Sequence, residues 1–164
     1  MLAKIDPART KVLRKGAFSG KSVLYWMSRD RRVDDNWALL ASQSVALNNK
    51  VPLIVCFQYL GHFPEANIRQ YGFLLKGLLE LKDKLESLNI EFILSQGRAS
   101  EVIPRIIDEK LVGTIITDYS PLKVYKKRAS KVLNRTKVPF YQIDAHNIIP
   151  CLLYTSDAAD DLLC

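Results

Sequence analysis

The chain has 164 residues, 48% of them apolar and 25% charged, enough for one domain with a real core. No run approaches the roughly 18–20 apolar residues that span a bilayer, and the first residues lack the apolar centre of a signal peptide. A cytoplasmic protein, or a nuclear one in a eukaryote, with no membrane partner is therefore expected. The net charge of +7 permits contact with nucleic acid, although for charge alone a solvated basic surface is the favoured reading.

Residues 1–21 are polar and basic, and read as an arm or irregular lead-in with a short helix around Ala8–Leu13. The first strand is Ser22–Ser28, which breaks into the polar loop Ser28-Arg29-Asp30-Arg31-Arg32. A helix from about Asp35 to Leu47 follows, with Trp37, Leu40, Ala41 and Val45 on one face of a 3.6-residue period. Asp34 or Asp35 is expected to supply its N-cap oxygen. The second strand, Pro52–Tyr59, is a continuous apolar run of the kind buried on both faces in a parallel sheet. Gly61-His62-Phe63-Pro64 leads to a long helix, about Ala66–Leu88, with an apolar stripe from Tyr71 through Leu74, Leu75, Leu78, Leu81 and Leu85 to Leu88. Gly72 and Gly77 weaken it, and are read as positions for close packing.

The third strand is Ile90–Ser95. The helix after it has Ser100 as a candidate cap, and Pro104 is expected within its first turn. The fourth strand is Gly113–Tyr119. Ser120-Pro121 then pairs a capping hydroxyl with a proline at the first helical position, opening a helix with Leu122, Tyr125, Ala129, Val132 and Leu133 inward. The fifth strand is Pro139–Asp144. The β-α alternation with short loops predicts an α/β fold: a doubly wound, Rossmann-like, five-stranded parallel sheet in the order 3-2-1-4-5.

The last stretch, residues 151–164 (CLLYTSDAADDLLC), resembles the translation of a sequencing adapter and is set apart as a non-native tail, leaving 22–150 as the domain. Removing its three aspartates would take the net charge from +7 to +10. The native protein is then expected to be longer than this chain.

Strands one and four are neighbours where the strand order reverses, and their C-terminal ends frame the default ligand crevice. They bring Ser28, Arg29, Asp30, Asn36, Asp118, Ser120 and Lys123 there. A helix N-terminus with Arg29 and Lys123 suits an anion, and the carboxylates and amide suit hydroxyls or ring N–H groups, so a nucleotide-like or polyol-bearing ligand is expected. Several of the residues here also have a plainer role. Asp118 could cap the next helix, Arg29–Arg32 could be a solvated loop, and His146 on the last loop reads as structural. The cysteines Cys56, Cys151 and Cys164 form no CxxC pair and no Cys/His cluster, so no metal site is indicated. No GxGxxG, P-loop or GxSxG motif occurs, and no catalytic residue is assigned.

YWMSRDRRVDDNWALL (Tyr25–Leu40), the helix start Arg69–Leu75, TDYSPL (Thr117–Leu122) and IDAHNIIP (Ile143–Pro150) resemble the N-terminal domain of class II cyclobutane pyrimidine dimer DNA photolyases. The resemblance runs from about Arg14 to Pro150. It implies an antenna α/β domain that can hold a deazaflavin or folate chromophore. It also implies a larger helical domain, absent from this chain, that binds FAD and the lesion in UV-damaged DNA and splits the dimer by electron transfer from the reduced flavin. The crevice residues carry over as tentative antenna ligands, with Lys123 standing where the family has Arg and Arg31 where a Gln is common. The fragment alone is then expected to be inactive in repair. A stand-alone nucleotide- or chromophore-binding module and a cryptochrome-like photoreceptor fragment are the alternative readings.

Overall fold

The longest apolar runs form the centre of the sheet. The computed structural model describes residues 7–60 and 67–153; the Gly61–Pro64 loop with His62, and the tail beyond residue 153, lie outside that range. The elements are β1 (Thr10–Arg14), β2 (Ser22–Met27), α1 (Trp37–Asn49), β3 (Leu53–Tyr59), α2 (Ile68–Ser87), β4 (Glu91–Gln96), α3 (Ala99–Glu109), β5 (Val112–Asp118), α4 (Lys123–Leu133) and β6 (Phe140–Ile143). The sheet order is β1-β6-β5-β2-β3-β4. Its five parallel strands lie in the predicted order, and β2 and β5 are buried along their whole length.

The sixth strand corrects the expectation of an irregular lead-in. Thr10–Arg14 pairs antiparallel with β6, Thr10 opposite Ile143, and Ala8–Leu13 is a 3-10 turn running into this strand rather than a helix. Two side chains fix it in place. Arg9 donates to the carbonyls of Asp144, Asn147 and Ile148, and Arg14 donates to those of Thr136 and Leu133.

Helices α1 and α2 cover one face of the sheet, where Tyr25, Val55, Leu81 and Leu85 pack; α3 and α4 cover the other, around Leu24, Ile103, Val132 and Phe140. Several expected inward positions turn out. Trp37 and Leu40 of α1 are exposed, and the residues against the sheet are Ala38, Leu39, Ala41, Ser42, Val45 and Ala46. Small side chains let this helix lie close to the strands, and Trp37 instead carries the Arg9 guanidinium 5.0 Å from its ring centroid. Leu122, also expected inward, is 57% exposed. In α2 only Leu78, Leu81 and Leu85 are buried, while Phe73 is 84% and Leu79 63% exposed. Gly72 and Gly77 make no close packing, because a Cβ on either would meet nothing within 4 Å. Gly20 and Gly113 do pack closely: a Cβ on Gly20 would fall 2.3 Å from the Gly113 nitrogen.

Pro104 sits in the second turn of α3, not the first. A proline there removes the N–H that would bond the Ser100 carbonyl, and Arg135 Nη1 donates to that carbonyl at 3.2 Å instead. Three helices are followed by a residue in the left-handed region, Lys50 (φ 55), Asn89 (φ 56) and Leu111 (φ 50), which turns the chain into the next strand.

Candidate functional site

Asp118 ends β5 beneath the loop that follows β2, and its carboxylate organises that loop. The Tyr25 hydroxyl donates to Oδ1 at 2.6 Å. Three successive backbone N–H groups, of Ser28, Arg29 and Asp30, point at Oδ2 at 2.8, 2.5 and 3.2 Å, a nest of the kind that binds anions. Asp118 is thus an anchor for the loop and not a cap of the next helix. Burial pushes its carboxyl above the ordinary aspartate range, against the lowering effect of the Tyr25 and backbone donors. The Tyr25 phenol is raised well above its usual value by burial and then by the neighbouring Asp118 charge.

Asn36 completes the network. It is fully buried, and its amide donates to the Tyr25 hydroxyl and to the carbonyls of Asp30 and Arg32 at 3.1–3.2 Å. Its Oδ1 accepts from the Leu39 N–H at 3.0 Å. Asn36 is therefore the N-cap of α1, in place of Asp34 or Asp35, both of which are exposed. Asp30 is buried and meets His146 Nδ1 at 2.9 Å across the top of the sheet. Asp30 Oδ2 and Arg29 Nη1 are buried without a partner among the described residues.

Ser28, Arg29, Asp30, Asn36 and Asp118 are thus brought together, mostly with one another. Ser120 is buried, and its Oγ accepts from the Leu122 N–H at 3.4 Å. The expected cap box is displaced, because α4 starts at Lys123 with Leu122 at the N-cap position and no side-chain cap. Ser100 likewise lies inside α3, where Arg98 takes the cap position without a side-chain bond. Lys123 is exposed and does not line the cleft described next.

That cleft, of about 1130 Å³, opens beside this network over the C-terminal end of β3. Ser28 and Arg31 border it from the β2 loop, Phe57, Gln58 and Tyr59 from β3, Tyr71, Phe73 and Leu74 from α2, and Tyr125 and Arg128 from α4. Two cations lie over aromatic rings there, Arg31 at 5.7 Å from the Phe57 centroid and Arg128 at 5.6 Å from that of Tyr125. Arg128 Nη2 also donates to Gln58 Oε1 at 2.5 Å, and Gln58 in turn donates to the Gly97 carbonyl. Aromatic walls with stacked cations suit a flat, electron-rich ring system carrying carbonyl or anionic groups.

A model of the DNA photolyase family matches residues 23–160. The chain belongs to the DNA photolyase family. It is 37% identical over 153 residues to the deoxyribodipyrimidine photo-lyase of Arabidopsis thaliana, covering 89% of this chain and 31% of that protein. It is 44% identical over 133 residues to the enzyme of the same name from Potorous tridactylus, covering 80% of this chain and 25% of that one. The chain thus spans about a quarter to a third of the length of these relatives. A bacterial class III photolyase from Agrobacterium tumefaciens superimposes with a TM-score of 0.61 at 20% identity, over 76% of this chain and 26% of that one. A Synechocystis cryptochrome gives 0.60 at 18% identity, over 70% and 24%. These two likenesses speak for the fold. The chain is an N-terminal photolyase-type α/β domain.

Sequence reasoning places the photolyase crevice over β2 and β5 and misses most of the cleft residues. Tyr125 and Arg128 had a signal, an aromatic and a cation three residues apart on one helix. Phe57 and Tyr59 had none, since in a buried strand they read as core. Among the described residues no group of three or more metal-ligating side chains occurs, and no helix is long and apolar enough to cross a membrane.

Proposed function

We propose that this chain is the antenna domain of a class II cyclobutane pyrimidine dimer photolyase, and that its cleft binds a deazaflavin or a folate. The observation that carries this reading is the cleft itself, where Arg31 and Arg128 lie over the rings of Phe57 and Tyr125. Its volume and aromatic walls fit a fused-ring chromophore. When bound, such a group supplies light absorption and passes excitation onward. The chain's own part is to hold it. Ser28 and Arg31 would meet it from the β2 loop, and Arg128, fixed by Gln58, would meet it from α4. Of the other candidate ligands, Arg29, Asp30, Asn36 and Asp118 would act by holding the loop, Ser120 by holding the start of α4, and Lys123 at most at the rim.

In this reading the parent enzyme carries FAD in a helical domain outside this chain, and uses it to split dimers in UV-damaged DNA. The domain takes in β1 and runs to about residue 150, and residues 151–164 are a non-native tail. The nucleotide sequence across the Pro150–Cys151 junction tests the last point.

Titrating the chain with a deazaflavin and, separately, a reduced folate tests the antenna reading by fluorescence. Saturable binding of one of them is expected, weakened at least about tenfold in Arg128→Ala, consistent with a desolvated cation–π and hydrogen-bond contact. Binding of neither would overturn it. Dimer repair by this chain alone, given reduced FAD and light, would overturn the assignment of catalysis to sequence outside it.

A further inference from the structure

Helix α4 has a charge imbalance seen in no other helix of the described residues. In α2 and α3 acids accompany the bases, and several pair: Lys82 with Glu86 at 3.0 Å, Arg98 with Glu101 at 3.9 Å and Arg105 with Glu109 at 3.7 Å. Helix α1 carries no charge. Helix α4 (KVYKKRASKVL) has five bases and no acid. Arg128 turns in to Gln58. Lys123, Lys126, Lys127 and Lys131 are all exposed, and among the described residues none forms an ion pair. At 100° per residue they share an arc of about 140°.

This arrangement works against the helix. Lys123–Lys127 and Lys127–Lys131 are like-charge pairs at i,i+4. Lys123 and Lys126 also sit in the first turn, at the positive end of the helix dipole. The face is polar throughout: between the lysines lie Ser130 and Asn134. A membrane-surface helix needs a broad apolar face beside its bases, and single-strand binding needs exposed aromatics for stacking. This face has neither, and the one aromatic of α4, Tyr125, lines the cleft.

We propose that the outer face of α4 contacts the phosphate backbone of duplex DNA, independently of sequence. The surface is complementary in charge, and contact with phosphates relieves the repulsion within the helix. The proposal rests on the photolyase reading for the choice of DNA as polyanion. It gives the α/β domain a direct hold on the substrate's backbone, on the helix that also supplies Tyr125 and Arg128 to the cleft.

The test uses the 164-residue chain and an undamaged, fluorescently labelled duplex, with Kd measured across a salt series. Removing three phosphate contacts reduces the slope of log K against log salt by about 2.7. The variant K126Q/K127Q/K131Q should show that loss and bind on the order of 100-fold more weakly at about 0.1 M salt. K126R/K127R/K131R should bind as the parent does. The control K11Q/K15Q/K21Q removes the same charge from the N-terminal segment, outside α4, and should lose far less. Equal losses in the two glutamine variants would reduce the effect to net charge and overturn the proposal, as would an unchanged slope in the α4 variant. Thermal melting should show the α4 variant at least as stable as the parent, so lost binding is not lost folding. Deazaflavin or folate titration of the same variants reports on the antenna reading separately, whatever the DNA result.

Discussion

The two halves of the sheet's C-terminal edge are built on opposite plans. Over β2 and β5 the polar groups are numerous, buried and mostly bonded to one another: Asp118 to Tyr25 and three backbone N–H groups, Asn36 to Tyr25, Asp30 and Arg32. Over β3 there are fewer polar groups, the walls are aromatic, and the space between them is open. A dense set of charged and amide residues in a sequence therefore marks the framework here, and the open cleft lies beside it. Buried polar groups must find partners, and in this fold they find them within the chain.

The sharpest way to break the framework is Asp118→Ala. It leaves three loop N–H groups and the Tyr25 hydroxyl without their acceptor, and should cost about 3 kcal/mol or more. Urea denaturation measures the loss. Asn36→Ala removes the α1 cap and three donor contacts, with an expected cost of about 2 kcal/mol. Chromophore binding should weaken in both only as far as the β2 loop is displaced, whereas Arg128→Ala should impair binding while costing under about 1 kcal/mol of stability. A reversal of that pattern would mean that the two halves are not distinct in role.

The pH dependence sharpens the comparison further. The Asp118 carboxyl is raised in the fold, so its contribution to stability is fully present below the ordinary aspartate value of 3.8 and is lost as pH rises through the raised value. Asp118→Asn cannot ionise. The stability difference between parent and variant should therefore move against the parent on going from about pH 4 to pH 7. A difference that stays flat over that range would show that the carboxyl is not raised. The smallest effect lies on the open side. Gly72→Ala fills empty space on α2 and should stabilise the chain by about 0.5–1 kcal/mol, read as a shift in the denaturation midpoint.

Most of the sheet was legible because its strands are buried on both faces, and Tyr25, Ile54 and Ile116 sit in runs with no competing pattern. β1 was not. TKVLR is short, charged and half exposed, and only its pairing with β6 makes it a strand, a contact some 130 residues away in sequence. The helix caps failed for a local reason. Asp34, Asp35 and Asn36 are all good caps by type, and the choice fell to Asn36 because its amide can donate to Tyr25 and the loop while its oxygen accepts from Leu39. A carboxylate cannot do both. The loop residues of the site were legible as a cluster, but their direction was not. Whether Asp118 faces a ligand or the chain depends on the backbone of residues 28–30, which hydropathy does not report.

The corners after α1, α2 and α3 carry a consequence for anyone wishing to make this chain more robust. Lys50, Asn89 and Leu111 hold a conformation that glycine adopts without steric cost and asparagine tolerates. Lys50 and Leu111 are exposed, so replacing either with glycine sacrifices little core packing. A library biased toward glycine at 50 and 111, with 89 left alone, would thus search the part of sequence space where hardening the scaffold interferes least with the cleft or with the outer face of α4. Because no side-chain hydrogen bond or ion pair links the two corners, their gains should combine almost independently.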